Sequence, residues 1–273
     1  MRRLLPALAL LLAGCAGAAV PEKRAEGNGP TIVSLNPCTD AILAEVTAPG
    51  QLLAVSHYSK DPAASSLPAA LAARLPATGG TAEEVLALRP DIVVASSFIA
   101  PTTQAALEEL GMRVETFGIA HTVAESEAQV RRLAALARQP ARGEALVARI
   151  EAALNSAAAA GTGPPMEAAL WQGGGIVPGE GELVSDLMRR TGFASYAAAR
   201  GMAQADYLPL EQILADPPGL LLIAGSERGQ RHPVLDKVPG MIVRAFDPAL
   251  TYCGGPTIIR AAGRLAQLRR GGA

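Results

Sequence analysis

Ser34, Asp40 and His57 are the types of a nucleophile, an orienting acid and a general base, and they lie close together in the chain. Such a trio can activate a hydroxyl for acyl transfer, but hydrolases present that serine on a sharp Gly-x-Ser-x-Gly turn, which Ser34 lacks. Ser34 also falls within an expected strand. Paired carboxylates fare no better, because the acidic residues cluster at expected helix starts rather than at strand ends. No catalytic residue is assigned, and the chain reads as a non-enzyme. Cys38 and Cys253 leave three readings open: a disulfide, soft metal ligands with His57 as a third, or two unpaired small residues. No Cys-x-x-Cys occurs, and His57, His121 and His232 show no tight ligand spacing, which argues against a dedicated zinc or manganese site. Gly173-Gly174-Gly175 is followed by no lysine and lacks the spacing of a dinucleotide fingerprint, so it is a weak phosphate signal.

The elements that must position these groups alternate between two periodicities. Thr31–Leu35, Leu52–Ser56, Ile92–Ser96 and Arg113–Phe117 read as strands, with helices at Thr39–Val46 and Thr102–Leu110. Thr122 and Glu125 form a capping box that opens a helix to about Ala137. Pro140 starts the next, running to about Ala159 with Leu146, Val147, Ile150 and Leu154 along one side. After a Gly/Pro break come strands Glu167–Trp171, Leu220–Ala224 and Ile242–Phe246, with helices at Glu182–Thr191 and Pro256–Arg270. Alternation of this kind implies α/β architecture with parallel sheets covered on both faces. Residues 81–94 (TAEEVLALRPDIVV) match residues 209–222 (PLEQILADPPGLLL) at one offset, pairing Glu83 with Glu211, Val85 with Ile213, Leu86 with Leu214 and Pro90 with Pro218. A unit repeated so far apart marks two similar lobes with a cleft between them.

Composition narrows the function classes. The 273 residues are 49% hydrophobic but only 3% aromatic, so the core rests on Ala, Leu, Val and Ile. A formal net charge of −1 argues against a nucleic-acid partner, which needs clustered Lys and Arg. Arg2 and Arg3 precede an apolar stretch, Leu4–Leu12, too short to span a membrane, and residues 1–14 read as a signal peptide. Leu12-Ala13-Gly14-Cys15 resembles a lipobox, in which Cys15 is acylated; a plain signal peptide cleaved near Ala18 is the alternative. Residues 15–30 then form a lipidated tether. The expected division continues with an N-terminal lobe at 31–139, a linking helix at 140–160 and a C-terminal lobe at 161–273.

SLNPCTD at the end of the first strand, TGGTAEEVLALRPDIVV, one helix joining two lobes, and a closing CGGPTIIRAAGRLA helix together resemble the helix-backbone substrate-binding proteins of ABC importers. That family contains receptors for cobalamin, haem and ferric siderophores. The likeness runs from about Thr31 to Leu268 and is nearest to the cobalamin branch. It implies two lobes joined by a single backbone helix, a periplasmic monomer, which the lipobox reading would hold at a membrane through Cys15, and no cofactor beyond the transported chelate. It also implies a permease with its cytoplasmic ATPase as partner, met through one acidic residue on each lobe. Carried over by position, these are Glu83 and Glu211, the pair that the repeat singles out independently.

Clefts in open α/β sheets lie beyond the carboxyl ends of the strands. The segments expected there contribute Asn36, His57, Tyr58, Phe98, Trp171 and Tyr252 as ligand contacts. Flat rings at a cleft mouth suit stacking against a corrin or porphyrin macrocycle. Trp171, followed by three glycines that admit a ligand to the backbone, is the strongest of these. Cys38 and Cys253 are expected on the two sides of the cleft, where a bond would clamp the lobes. Lys60 and Arg228 are the evident cations near strand ends, a scarcity that favours a near-neutral chelate such as a corrinoid over an anionic siderophore. Haem remains the alternative, with Tyr58, His57 or Tyr252 as axial ligand.

Overall fold

The computed structural model describes residues 29–161 and 163–271, so the expected signal peptide, Cys15 and most of the tether lie outside the described residues. The first lobe runs β1 (Ile32–Ser34), α1 (Pro37–Val46), β2 (Leu52–Ser56), a 3₁₀ turn (His57–Lys60), α2 (Ala69–Arg74), β3 (Ala77–Thr78), α3 (Ala82–Leu88), β4 (Ile92–Ser96), α4 (Pro101–Glu109), β5 (Arg113–Phe117) and α5 (Val123–Leu136). Its five strands pair in the order β3-β2-β1-β4-β5, all parallel. A single helix, α6 (Pro140–Ala159), leads to the second lobe. There β6 (Met166–Gln172), α7 (Leu183–Arg190), β7 (Phe193–Ser195), α8 (Tyr196–Ala199), α9 (Leu210–Ala215), β8 (Leu220–Ala224), β9 (Ile242–Ala245) and α10 (Thr257–Gly271) follow. The second sheet is ordered β7-β6-β8-β9, again all parallel.

The repeat is carried into three dimensions. α3 and α9 hold equivalent places, each burying one β-branched residue (Val85, Ile213) and leading into the strand paired with its lobe's first strand. β4 lies between β1 and β5 as β8 lies between β6 and β9. The lobes differ at one edge, where β3 has no counterpart in the second sheet.

One apolar core passes through both lobes. It runs from Ile32, Ile42 and Val130 through Leu146, Val147 and Ile150 of α6 to Leu170, Leu222, Ile258 and Leu265. α6 is therefore a packed strut, held between α5 and α10. Pro140 supplies its first turn with a preset φ. A β-carbon added at Gly143 would stand 2.5 Å from the Ala134 methyl, so α5 and α6 approach through their backbones.

Several elements depart from the sequence reading. α1 starts at Pro37 rather than Thr39, because the Asn36 side chain accepts the Cys38 N–H at 3.0 Å and caps the helix two residues earlier. The 3₁₀ turn, α2, β3, β7 and α8 were not expected; each is six residues or fewer, too short to show a period. No helix among the described residues is long and apolar enough to cross a membrane.

Candidate ligand-binding cleft

The carboxyl ends of both sheets converge on a cavity of about 220 Å³. β1, β4 and β5 bring Asn36, Phe98 and Ile119 to it from the first lobe, while Glu182, Thr251 and Tyr252 come from the second. Phe98 is 75% exposed and Tyr252 45%, which for large rings in an aromatic-poor chain is unusual placement. Phe117 lines the floor and is itself buried, with the Arg132 guanidinium over its ring at 4.2 Å. Among the described residues no lysine or arginine lines the cavity, and Glu182 is the one charged group in its lining.

Cys38 and Cys253 both line this cavity and are joined by a disulfide, with Cα atoms 5.1 Å apart across 215 residues of sequence. The pairing removes both sulfurs as metal ligands. Two further bonds tie the lobes beneath it. Asp186 of α7 accepts the Val123 N–H at the start of α5 (3.0 Å), and Ser126 of α5 accepts the Gly255 N–H before α10 (2.7 Å). At Gly254 an added β-carbon would lie 2.3 Å from the Ser126 hydroxyl, so this crossing is closed to larger residues.

The first turn of α1 also reaches the end of β2. Asp40 is fully buried, and its Oδ2 accepts the Ser56 N–H (2.9 Å) and the Ser59 hydroxyl (2.6 Å). The Ser56 hydroxyl in turn accepts the Tyr58 N–H at 3.3 Å. Between these anchors His57 and Tyr58 project outward, their ring centroids 4.0 Å apart, with Tyr58 56% exposed. Asp61 closes the turn, its backbone N–H donating to the Tyr58 carbonyl. Burial first, then Asp247 and Asp61, hold the Tyr252 phenol above its ordinary pKa.

The cavity brings together Asn36, Phe98, Tyr252, Cys38 and Cys253; His57 and Tyr58 are exposed but do not line it, and three further expectations need correction. Trp171 is not a platform in this cavity. It is 3% exposed, and its indole N–H donates to the Leu208 carbonyl at 2.9 Å. Strand alternation explains this, since Ala168 and Leu170 face α7 and α10 while Ala169 and Trp171 face Tyr196 and Ile213. Lys60 is not a cleft cation either, because its ammonium donates to the carbonyls of Ala72 and Leu75 at the end of α2. As the sequence reading had it, Ser34, Asp40 and His57 form no triad: the buried Ser34 hydroxyl bonds with that of Thr39, and Asp40 serves Ser56 and Ser59. Arg228 is exposed and does not line the cavity.

Glu83 and Glu211 are exposed in the first turns of α3 and α9. The neighbouring Glu84 is occupied, accepting from the Thr78 hydroxyl (2.7 Å) and the Gly79 N–H (2.6 Å), which lowers its pKa. Glu83 makes no ion pair among the described residues, nor does Glu211. Beside Glu211 lies a second cavity of about 300 Å³, formed by Tyr207, Gly174, Gly175, Glu227 and the edge of Trp171. Tyr207, Ile119, Glu182 and Asp40 were missed as site residues. Ring scarcity was the signal for Tyr207; nothing in the local sequence distinguished the others.

Residues 32–239 match a family model described as periplasmic binding protein. Among solved structures the chain is similar to the periplasmic haem-binding protein RhuT from Roseiflexus sp. RS-1, in apo form. Identity is 22% and TM-score 0.67, over 89% of this chain and 99% of that one. Similarity to the periplasmic haem-binding protein HutB of Vibrio cholerae is 20% in identity with TM-score 0.70, over 87% and 98% of the two chains. For the periplasmic vitamin B12-binding protein BtuF of Vibrio cholerae the values are 18% and 0.66, over 90% and 98%. No curated protein matches the chain in sequence. At these identities the structural likeness establishes the fold.

Proposed function

The chain belongs to the periplasmic binding protein family, and we propose that it captures a near-neutral planar chelate of corrinoid type between its lobes and hands it to the permease of an ABC importer. The extracytoplasmic location follows from the family. The observation that carries the ligand class is a cleft with exposed rings from both lobes and no cationic side chain in its lining. Apolar rings cover the faces of a macrocycle, whereas an anionic ligand calls for Arg or Lys. Lys60 is committed elsewhere, which strengthens the case against anions. At about 220 Å³ the cavity is smaller than the roughly 300–1,000 Å³ of most ligand pockets, so the ligand reaches beyond it, and the exposed Tyr58 is read as a further contact. The role is capture without chemistry.

Haem is the second reading. It is favoured by the exposed Tyr58 phenol with His57 beside it, and by the haem-binding solved structures of the same fold. The lack of a cation for propionates in the described lining counts against it. Glu83 and Glu211 serve as the permease-docking pair, and Cys15 as the site of a lipid anchor, in the same proposal. Titrating the purified protein with cyanocobalamin and with haemin, followed by absorbance, decides between the ligands. Saturable spectral change with the corrinoid is expected. Tight haemin binding with no response to cyanocobalamin would move the assignment to haem.

A further inference from the structure

Asp40 touches no ligand-facing space, yet its bonds end on the segment that carries Tyr58. Its Oδ2 accepts from Ser56 N–H and from the Ser59 hydroxyl, the residues on either side of His57 and Tyr58. The Ser56 hydroxyl caps the Tyr58 N–H from within. Its Oδ1 is buried without a partner. We propose that Asp40 is the positioning residue of the cleft, fixing the His57–Lys60 turn so that Tyr58 is held exposed. This rests on the reading of Tyr58 as a ligand contact.

A carboxylate is a costly choice for a position with no exposure. An apolar residue there would remove the cost of the unpartnered Oδ1 but would strand the Ser56 N–H and the Ser59 hydroxyl, both buried. What the carboxylate satisfies is a single turn, and that turn displays two rings to solvent while burying Ser59. The same first turn of α1 carries Cys38, which is bonded to the second lobe through Cys253. Asp40 thereby references the Tyr58 turn to the disulfide that links the lobes. The groups facing the carboxyl are the hydroxyls of Ser34 and Ser59 and the Ser56 N–H. The turn's own charged side chains look elsewhere, Lys60 to the carbonyls of Ala72 and Leu75 and His57 toward Tyr58. An amide keeps the shape of the side chain but puts an NH₂ donor in place of either the accepting Oδ2 or the unpartnered Oδ1.

The test combines hydrogen exchange with a double-mutant cycle. In the ligand-free protein, Asp40→Asn is expected to raise amide exchange across residues 56–60 while leaving β4 and β8 protected. With cyanocobalamin as probe, and haemin in parallel, Asp40→Asn is expected to weaken binding about tenfold, a loss that disappears when Tyr58 is already alanine. Ser59→Ala, which leaves the carboxylate in place, is expected to show a smaller effect in the same direction and serves if Asp40→Asn fails to fold. Unchanged exchange in 56–60 would overturn the proposal, as would an affinity loss that simply adds to that of Tyr58→Ala. If the wild-type protein binds neither probe, the ligand assignment fails, and the exchange data still decide the role of Asp40.

Discussion

Phe98 and Trp171 are both large rings beyond or at strand ends, and burial gives them opposite roles. Phe98 keeps most of its surface in water and lines the cleft, so Phe98→Ala is expected to weaken chelate binding about tenfold with the denaturation midpoint unmoved. Trp171 is a core residue whose indole satisfies the Leu208 carbonyl. Trp171→Ala is expected to lower the unfolding free energy by roughly 3–5 kcal/mol in urea titrations. A stable Trp171→Ala protein with lost affinity would reverse these two assignments. Asp40 supplies a pH signature of its own. Burial raises its pKa from 3.8 to about 7 against the opposing influence of the nearby Ser34 hydroxyl and of the groups it bonds at Ser59 and Ser56. Between those values the folded chain holds a proton that the unfolded chain has released. The contribution to stability is thus complete below the unfolded pKa and is lost as pH rises through about 7. Urea midpoints measured from about pH 4 to about pH 8 should decline more steeply for the wild type than for Asp40→Asn, which has no such titration. Parallel profiles would show that the carboxyl does not titrate in this window.

The longer elements were readable because period and punctuation agree over them. Pro140 and the stripe Leu146, Val147, Ile150 and Leu154 place α6, and the structure starts that helix at Pro140. Thr122 and Glu125 place the start of α5, where the Thr122 hydroxyl does accept the Glu125 N–H at 3.1 Å. The repeat located α3 and α9 because each buries a single residue at the same phase and ends before a proline-containing break. What escaped was short or set by distant contacts. The turn holding Tyr58 is anchored by Asp40, sixteen residues from Ser56 and nineteen from Ser59, and no local pattern announces those bonds. Trp171 was misread for a related reason. Its position at a strand end was visible, but which face it takes depends on the strand's register against β8, where it pairs with Ile223. The cleft was legible as a set of strand ends, and the sidedness of individual side chains was not.

At the scale of the whole molecule, the lobes are less free than two domains on a linker. A core that runs through α6, the Cys38–Cys253 bond and the Asp186 and Ser126 crossings hold them in one arrangement. Glu83 and Glu211 are consequently presented at a fixed separation, each exposed and each in the first turn of an equivalent helix. The helix dipole favours an acid at such a place, which explains one glutamate but not the same register on both lobes. Two rigidly spaced charges meeting two cationic groups on one partner gain through effective concentration, since the second contact forms without further loss of freedom. Replacing Glu83 and Glu211 together by lysine is therefore expected to abolish uptake of bound chelate while leaving chelate affinity unchanged, because neither residue lines the cleft. Each single replacement should impair uptake more at low salt than at high salt, as exposed charges are screened over about 10 Å at 0.1 M. Uptake into vesicles carrying the permease, measured with wild-type and doubly substituted protein at equal ligand occupancy, reads this directly. Normal uptake with both lysines present would leave the two glutamates as helix-start residues and move the docking surface elsewhere on the lobes.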